Sequence, residues 1–141
     1  MKKKVLFVCV HNSARSQMAE AFLKHYGADG YEAESAGFEP TSIDPLVVEV
    51  MAEAGIDISK NITQSVFELY RAGRFFGYII TVCSRARESD CPTFPGIKRR
   101  LHWELENPED YEGTREEKIE RLRILRDRIK ELVLDFIRNE K

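Results

Sequence analysis

The stretch Val8–Phe22, "VCVHNSARSQMAEAF", contains a change of hydrophobic period. Upstream, "KKVLFVCV" (Lys3–Val10) is a continuous apolar run, the pattern of a strand buried on both faces. Downstream, Met18, Ala19, Phe22, Leu23 and Tyr26 recur at helical spacing, and Gly27 stands where a helix would stop. The polar segment between them is short enough for its successive backbone N–H groups to turn inward, forming an anion-sized nest at the positive end of the helix. Val10, His11, Asn12, Ser13, Ala14 and Arg15 are the candidate oxyanion-binding residues, and the Arg15 guanidinium can grip two oxygens of a tetrahedral anion. The same field favours a thiolate at Cys9, and Ser16 is placed to give it a hydroxyl hydrogen bond. A lone cysteine six residues before an arginine is common by chance; its place between a buried strand and a helix is what gives it weight. His11 reads as a solvent-facing loop residue, because a thiol already ionised needs no base.

The alternation of strand and helix continues along the chain. "YEAESAG" (Tyr31–Gly37) reads as a second strand. Asp44 and Pro45 supply an N-cap and a first-turn proline to a helix with Val47, Val50, Met51 and Ala54 on one face, closed by Gly55. Ser65 and Glu68 stand at capping-box spacing before a short helix ending near Gly73. "FFGYIITVC" (Phe75–Cys83) reads as a third strand, and a short segment around "KRRLHW" follows a loop with Pro92, Pro95 and Gly96. Thr114 with Glu117 opens a long helix that turns Ile119, Leu122, Leu125, Ile129, Leu132, Val133 and Phe136 inward, its last residues expected to fray.

This order predicts an α/β fold: a three-layer open parallel sheet of about four strands with helices on both faces, in a single catalytic domain over residues 1–141. Ligands bind beyond the carboxyl ends of such strands. Cys9 and Cys83 end the first and third strands, so both thiols are expected at one sheet edge.

With 141 residues the chain is long enough for one domain with a real core. No apolar run approaches a membrane span, and the start "MKKKVLFVCVHN" has too short an apolar core, and no cleavage site, for a signal peptide. The net charge of −2, with both signs mixed, leaves no footprint for nucleic acid. A cytoplasmic protein without a nucleic-acid or membrane partner is expected. Three cysteines in such a chain argue against a static disulfide framework and for reactive thiols or a metal site. Zinc on Cys83, Cys91 and His102 has the wrong spacing and no evident fourth ligand, so neither metal nor cofactor is expected.

The stretches "VCVHNSARSQMAEAF", "AESAG", "AGIDIS", "ITVC", "DCPTFPGIKRRLHW" and the "NP" of Asn107–Pro108 resemble the thioredoxin-coupled arsenate reductases over nearly the whole chain. That family shares the fold of the low-molecular-weight protein tyrosine phosphatases. The phosphate loop is common to both; Cys83 and Cys91, with the "CP" and "HW" that accompany them, are particular to the reductases. The resemblance implies a thiol relay. Cys9 attacks arsenate, Cys83 attacks Cys9 and releases arsenite, Cys91 takes over the disulfide, and thioredoxin reduces the Cys83–Cys91 pair. The chemistry accords with this, because reducing As(V) to As(III) takes two electrons and hence a second thiol, and a third thiol can export the disulfide. Bridging needs Cα atoms about 4.4–6.8 Å apart, so the polar segment "SRARESD" (Ser84–Asp90) must be mobile enough to deliver Cys91.

The chain departs from the family at its proton donor. Both families use an aspartate before a proline as general acid; here Asn107 precedes Pro108, and an amide cannot serve. Glu106 is the candidate taken as catalytic, with Asp110 the alternative. Some members bind potassium, and Asn12, Glu20 and Ser35 match three of the positions concerned, but no carboxylate near "NITQS" supplies the fourth. Two rival readings stand beside the reductase. One is a low-molecular-weight phosphotyrosine phosphatase using Cys9 and Arg15 alone. The other is a non-catalytic oxyanion-binding or redox-sensing protein.

Overall fold

β1 (Lys3–Cys9) is a central strand because its residues can be nowhere else: Val5, Leu6, Phe7 and Val8 are fully buried, so both of its faces are covered. Each such side chain contributes on the order of 1.5–3 kcal/mol of burial, an upper estimate. In the computed structural model, which describes residues 2–83 and 90–140, β1 lies between β2 (Tyr31–Gly37) and β3 (Tyr78–Thr81), and β4 (Arg99–His102) pairs with β3. All three pairings are parallel, with Cys9 opposite Gly37, Val8 opposite Thr81, and Thr81 opposite His102.

Alternate residues of a strand face opposite sides, so the register assigns the layers. Tyr31 and Tyr78 share a face, and the Phe136 ring packs on both at centroid distances of 5.4 and 5.5 Å. Phe136 belongs to α4 (Arg115–Asn139), which also packs against α1 (Arg15–Tyr26) and α2 (Pro45–Glu53). The opposite face carries Glu34, which pairs with Arg74 just after α3 (Val66–Arg71). Both faces are thus covered, as the alternation predicts.

Local signals act where expected. Asp44 accepts from the Leu46 N–H, Ser65 accepts from Phe67 and Glu68, and Thr114 with Glu117 forms a reciprocal capping box. Two expectations need correction. β3 is shorter than Phe75–Cys83: Phe76 leaves the ladder to pack edge-on against Phe94, and Phe75 is exposed. Ala54 is an exposed C-cap, because α2 stops at Glu53 and Gly55 turns the chain at φ +82°. Just past α4, Glu140 pairs with Arg99, and its carbonyl accepts from the Lys3 ammonium. Residues 84–89, most of the segment expected to be mobile, lie outside the described residues. Among the described residues no helix is long and apolar enough to cross a membrane.

Gly37 is the position where β2 approaches the Cys9 loop most closely. A Cβ there would stand 2.7 Å from the Val10 carbonyl oxygen and 2.9 Å from the Asn12 nitrogen, backbone atoms that cannot swing aside. Gly37→Ala is therefore expected to lower stability by about 1–3 kcal/mol. The urea midpoint should fall at unchanged slope, and phosphate binding should weaken with it.

A thiol in an oxyanion cradle

Four backbone N–H groups beyond β2 fix the loop after β1. Phe38, Glu39, Thr41 and Asp44 donate to the carbonyls of Cys9, Val10, His11 and Ser13 at 3.1, 2.8, 3.1 and 3.1 Å. A planar trans peptide points its N–H away from its carbonyl. The N–H groups of Val10, His11, Asn12 and Ala14 therefore face the other way, into the loop. Asn12 shows this directly, its N–H lying 3.2 Å from Cys9 Sγ. α1 then starts without a side-chain cap on Ala14 and without an acidic residue in its first turn, which leaves its N-terminal field to an anion.

A directed chain of hydrogen bonds holds the thiol. Asn12, at φ +55° in a region that asparagine tolerates better than most residues, accepts from the Gln64 N–H through Oδ1 at 3.1 Å. Its Nδ2 must then donate, to Ser16 Oγ at 2.8 Å and to Ser35 Oγ at 2.9 Å. Ser35 passes its own proton to Glu20 at 2.5 Å. Ser16 Oγ, which accepts from Asn12, lies 2.9 Å from Cys9 Sγ, where its hydroxyl can donate to a thiolate. Cys9 and Arg15 are only 2% and 5% exposed, a fit for a small anion.

The segment after β4 covers the cradle's open side. Arg15 donates to the Leu105 carbonyl at 3.3 Å, and Glu109, on the 3₁₀ turn Pro108–Asp110, contacts His11 Nδ1. His11 is therefore paired across the mouth, a correction to its reading as a solvent-facing residue. Glu106 is committed elsewhere: Tyr111 donates its hydroxyl to one carboxylate oxygen at 2.8 Å, and Arg121 lies 3.4 Å from the other. Burial first, then the bond to Glu106, push the Tyr111 phenol above its usual range, while the charges of Arg121 and Arg15 pull it down. Asn107 caps its own turn by accepting from the Glu109 N–H at 3.0 Å, and Asp110 is exposed.

The other thiols lie beneath the surface. Cys9, Cys83 and Cys91 are all buried, and none of them is in a disulfide. Val82 N–H bonds the Val8 carbonyl at 2.8 Å, so Cys83 follows β3 at the edge where Cys9 ends β1. Arg100 reaches the Cys91 carbonyl at 3.4 Å. Burial pushes the Cys91 thiol up to about 11; the Arg100 charge opposes this and the Cys83 thiol adds to it. His102, the third residue of the zinc alternative, has its ring nitrogens on Thr81 Oγ1 at 2.7 Å and Glu104 at 3.1 Å. Asn12, Ser35 and Glu20 do meet, yet the donor set does not suit potassium: Asn12 presents its N–H₂ to Ser35, and Lys24 occupies Glu20 at 2.5 Å.

Sequence reading missed Gln64, Leu105 and Glu109, whose parts depend on contacts from distant segments. Only Glu109, two residues past Asn107, had a local pointer. Comparison with known proteins agrees with the geometry. Residues 4–140 match the family of low molecular weight phosphotyrosine protein phosphatases. The arsenate reductase of Halalkalibacterium halodurans is 37% identical over 142 residues, covering 99% of each chain. A solved arsenate reductase in its phosphate-binding state gives a TM-score of 0.78 at 31% identity over 96% of each chain. A thioredoxin-dependent arsenate reductase of Corynebacterium glutamicum gives 0.68 at 37% identity, over 99% of this chain and 64% of that one. On these matches the chain belongs to the low molecular weight phosphotyrosine protein phosphatase family, and within it to the arsenate reductases.

Proposed function

We propose that this chain reduces arsenate to arsenite with Cys9 as nucleophile, Cys83 and Cys91 as the relay, and thioredoxin as reductant. The cradle N–H groups and Arg15 hold the arsenate oxygens, while the Asn12 N–H and the Ser16 hydroxyl support a thiolate at Cys9. Attack forms a Cys9–arsenic bond. Cys83 then attacks Cys9 Sγ, the sulfur–arsenic electron pair stays with arsenic, and As(III) departs as arsenite. Cys91 next attacks Cys83, Cys9 leaves as a thiolate, and a dithiol reductant cleaves the Cys83–Cys91 disulfide.

The observation that carries the reading is a second thiol at the edge that bears the first. β3 runs parallel beside β1, and the register sets Cys83 one step beyond Cys9. Ideal strands about 4.8 Å apart with a rise of about 3.3 Å per residue would put two such Cα atoms on the order of 6 Å apart, inside the Cα range of bridged cysteines. A phosphatase has no use for this thiol.

Cys83→Ser is expected to abolish thioredoxin-coupled, arsenate-dependent NADPH oxidation while sparing any aryl phosphate hydrolysis. A wild type that hydrolyses aryl phosphate well and ignores arsenate would establish the phosphatase, and one that binds both anions without turnover the sensor. Ser16→Ala should slow iodoacetamide alkylation of Cys9 at pH 7 by about ten- to a hundredfold, since a hydrogen bond to a charged group is worth about 1.5–3 kcal/mol. In the resting protein Cys91 should alkylate far more slowly than Cys9. A thiol raised from 9.0 to about 11 carries roughly a hundredfold less thiolate at neutral pH, so the Cys91 rate should climb with pH toward 11.

A further inference from the structure

When a thiolate displaces an oxygen from arsenic, that oxygen departs as hydroxide unless a proton meets it. The segment covering the cradle should therefore contain a donor, yet most of its polar side chains are spoken for. Glu106 has both carboxylate oxygens taken up, one by the Tyr111 hydroxyl and the other by Arg121. Asn107 accepts from the Glu109 N–H and has no acidic proton. Tyr111 is held at the Glu106 carboxylate, its phenol pushed upward by burial and hence a weaker acid than usual.

What this segment does bring to the cradle is Glu109, whose carboxylate meets His11 Nδ1 across 98 positions of chain. The geometry locates the imidazole. The His11 carbonyl is held on the loop's outer side by the Thr41 N–H, while its ring meets the segment lying over the inner, anion-facing side. The ring thus stands at the rim, between the N–H groups that would hold the anion and the turn above them. It is half-buried, so it can exchange protons with water between turnovers. A carboxylate on Nδ1 fixes the orientation of the ring and leaves Nε2 as its second exchangeable position.

We propose that His11, held by Glu109, donates the proton to the oxygen that leaves arsenic as Cys9 attacks. The inference rests on the reading of Cys9 as the nucleophile toward arsenate. In this step the Cys9 Sγ–arsenic bond forms and one arsenic–oxygen bond breaks. The departing oxygen takes the His11 proton and leaves as water. Arsenic remains As(V), no electrons change owner, and the imidazole regains its proton from solvent. Glu109 is a positioning residue that acts through the ring.

The test is single-turnover arsenite release by excess reduced enzyme, with phosphate affinity measured alongside. His11→Gly, which keeps the backbone N–H facing the anion, should bind phosphate within a few-fold of wild type and release arsenite about a hundredfold more slowly. Added imidazole should restore part of that rate in His11→Gly and leave wild type unaffected, a response that a merely structural role does not produce. Glu109→Gln should slow release less and gain nothing from imidazole. Should glycine loosen the loop and weaken phosphate binding, His11→Asn supplies the second variant, with the same loss of rate expected at intact affinity. The proposal is overturned if His11 variants that bind phosphate normally keep the wild-type rate, if imidazole fails to rescue His11→Gly, or if the loss appears in Asp110→Asn instead. Arsenite release by Cys9→Ser would sink the underlying reading separately.

Discussion

The carbonyls of Cys9, Val10, His11 and Ser13 are bound on the outer side of their loop by the backbone of Phe38, Glu39, Thr41 and Asp44. Everything chemical about the protein follows from that tether. It requires β2 to run in register beside β1, with a residue lacking a side chain opposite Cys9, and Gly37 meets both demands. It also decides the sign of the loop's interior, because a peptide that points its oxygen out must point its hydrogen in. The cradle is thus positive by backbone geometry before any side chain is considered. Arg15 adds to a field that already exists.

The three thiols have the same chemistry and different surroundings. Cys9 lies against the Asn12 amide N–H and within hydrogen-bond distance of the Ser16 hydroxyl. Cys91 is packed where burial favours the neutral form, with the Arg100 charge only partly opposing. The proposed relay needs such an order, since equally nucleophilic thiols would pair indiscriminately. Solvation and hydrogen bonding are the means by which these surroundings would impose it.

Much of this was legible in the residues. The strand–loop–helix at Val8–Phe22, the capping signals at Asp44 and Thr114, and the shared edge of Cys9 and Cys83 all rest on local pattern plus the parallel-sheet rule. The strand from Phe75 was overextended because an apolar run does not say which of its members pair and which pack; Phe76 packs against Phe94. Gln64 was illegible as the partner of Asn12, for nothing near it in sequence marks its backbone N–H as a donor to a loop 52 positions away. His11 was misjudged for the same reason: its partner Glu109 arrives from the far end of the chain. Local periodicity reports elements, whereas the polar contacts that finish a site are made between them.

The burial of Cys91 also bears on life between turnovers. Peroxide attacks thiolates, and an over-oxidised sulfur is lost to disulfide exchange for good. A neutral, enclosed third thiol offers such oxidants little to react with while no arsenate is present. Cys9, against an amide N–H and a hydroxyl in the cradle, is the sulfur that a bound oxyanion would itself cover. Idle enzyme is accordingly safest in the presence of a harmless anion such as phosphate.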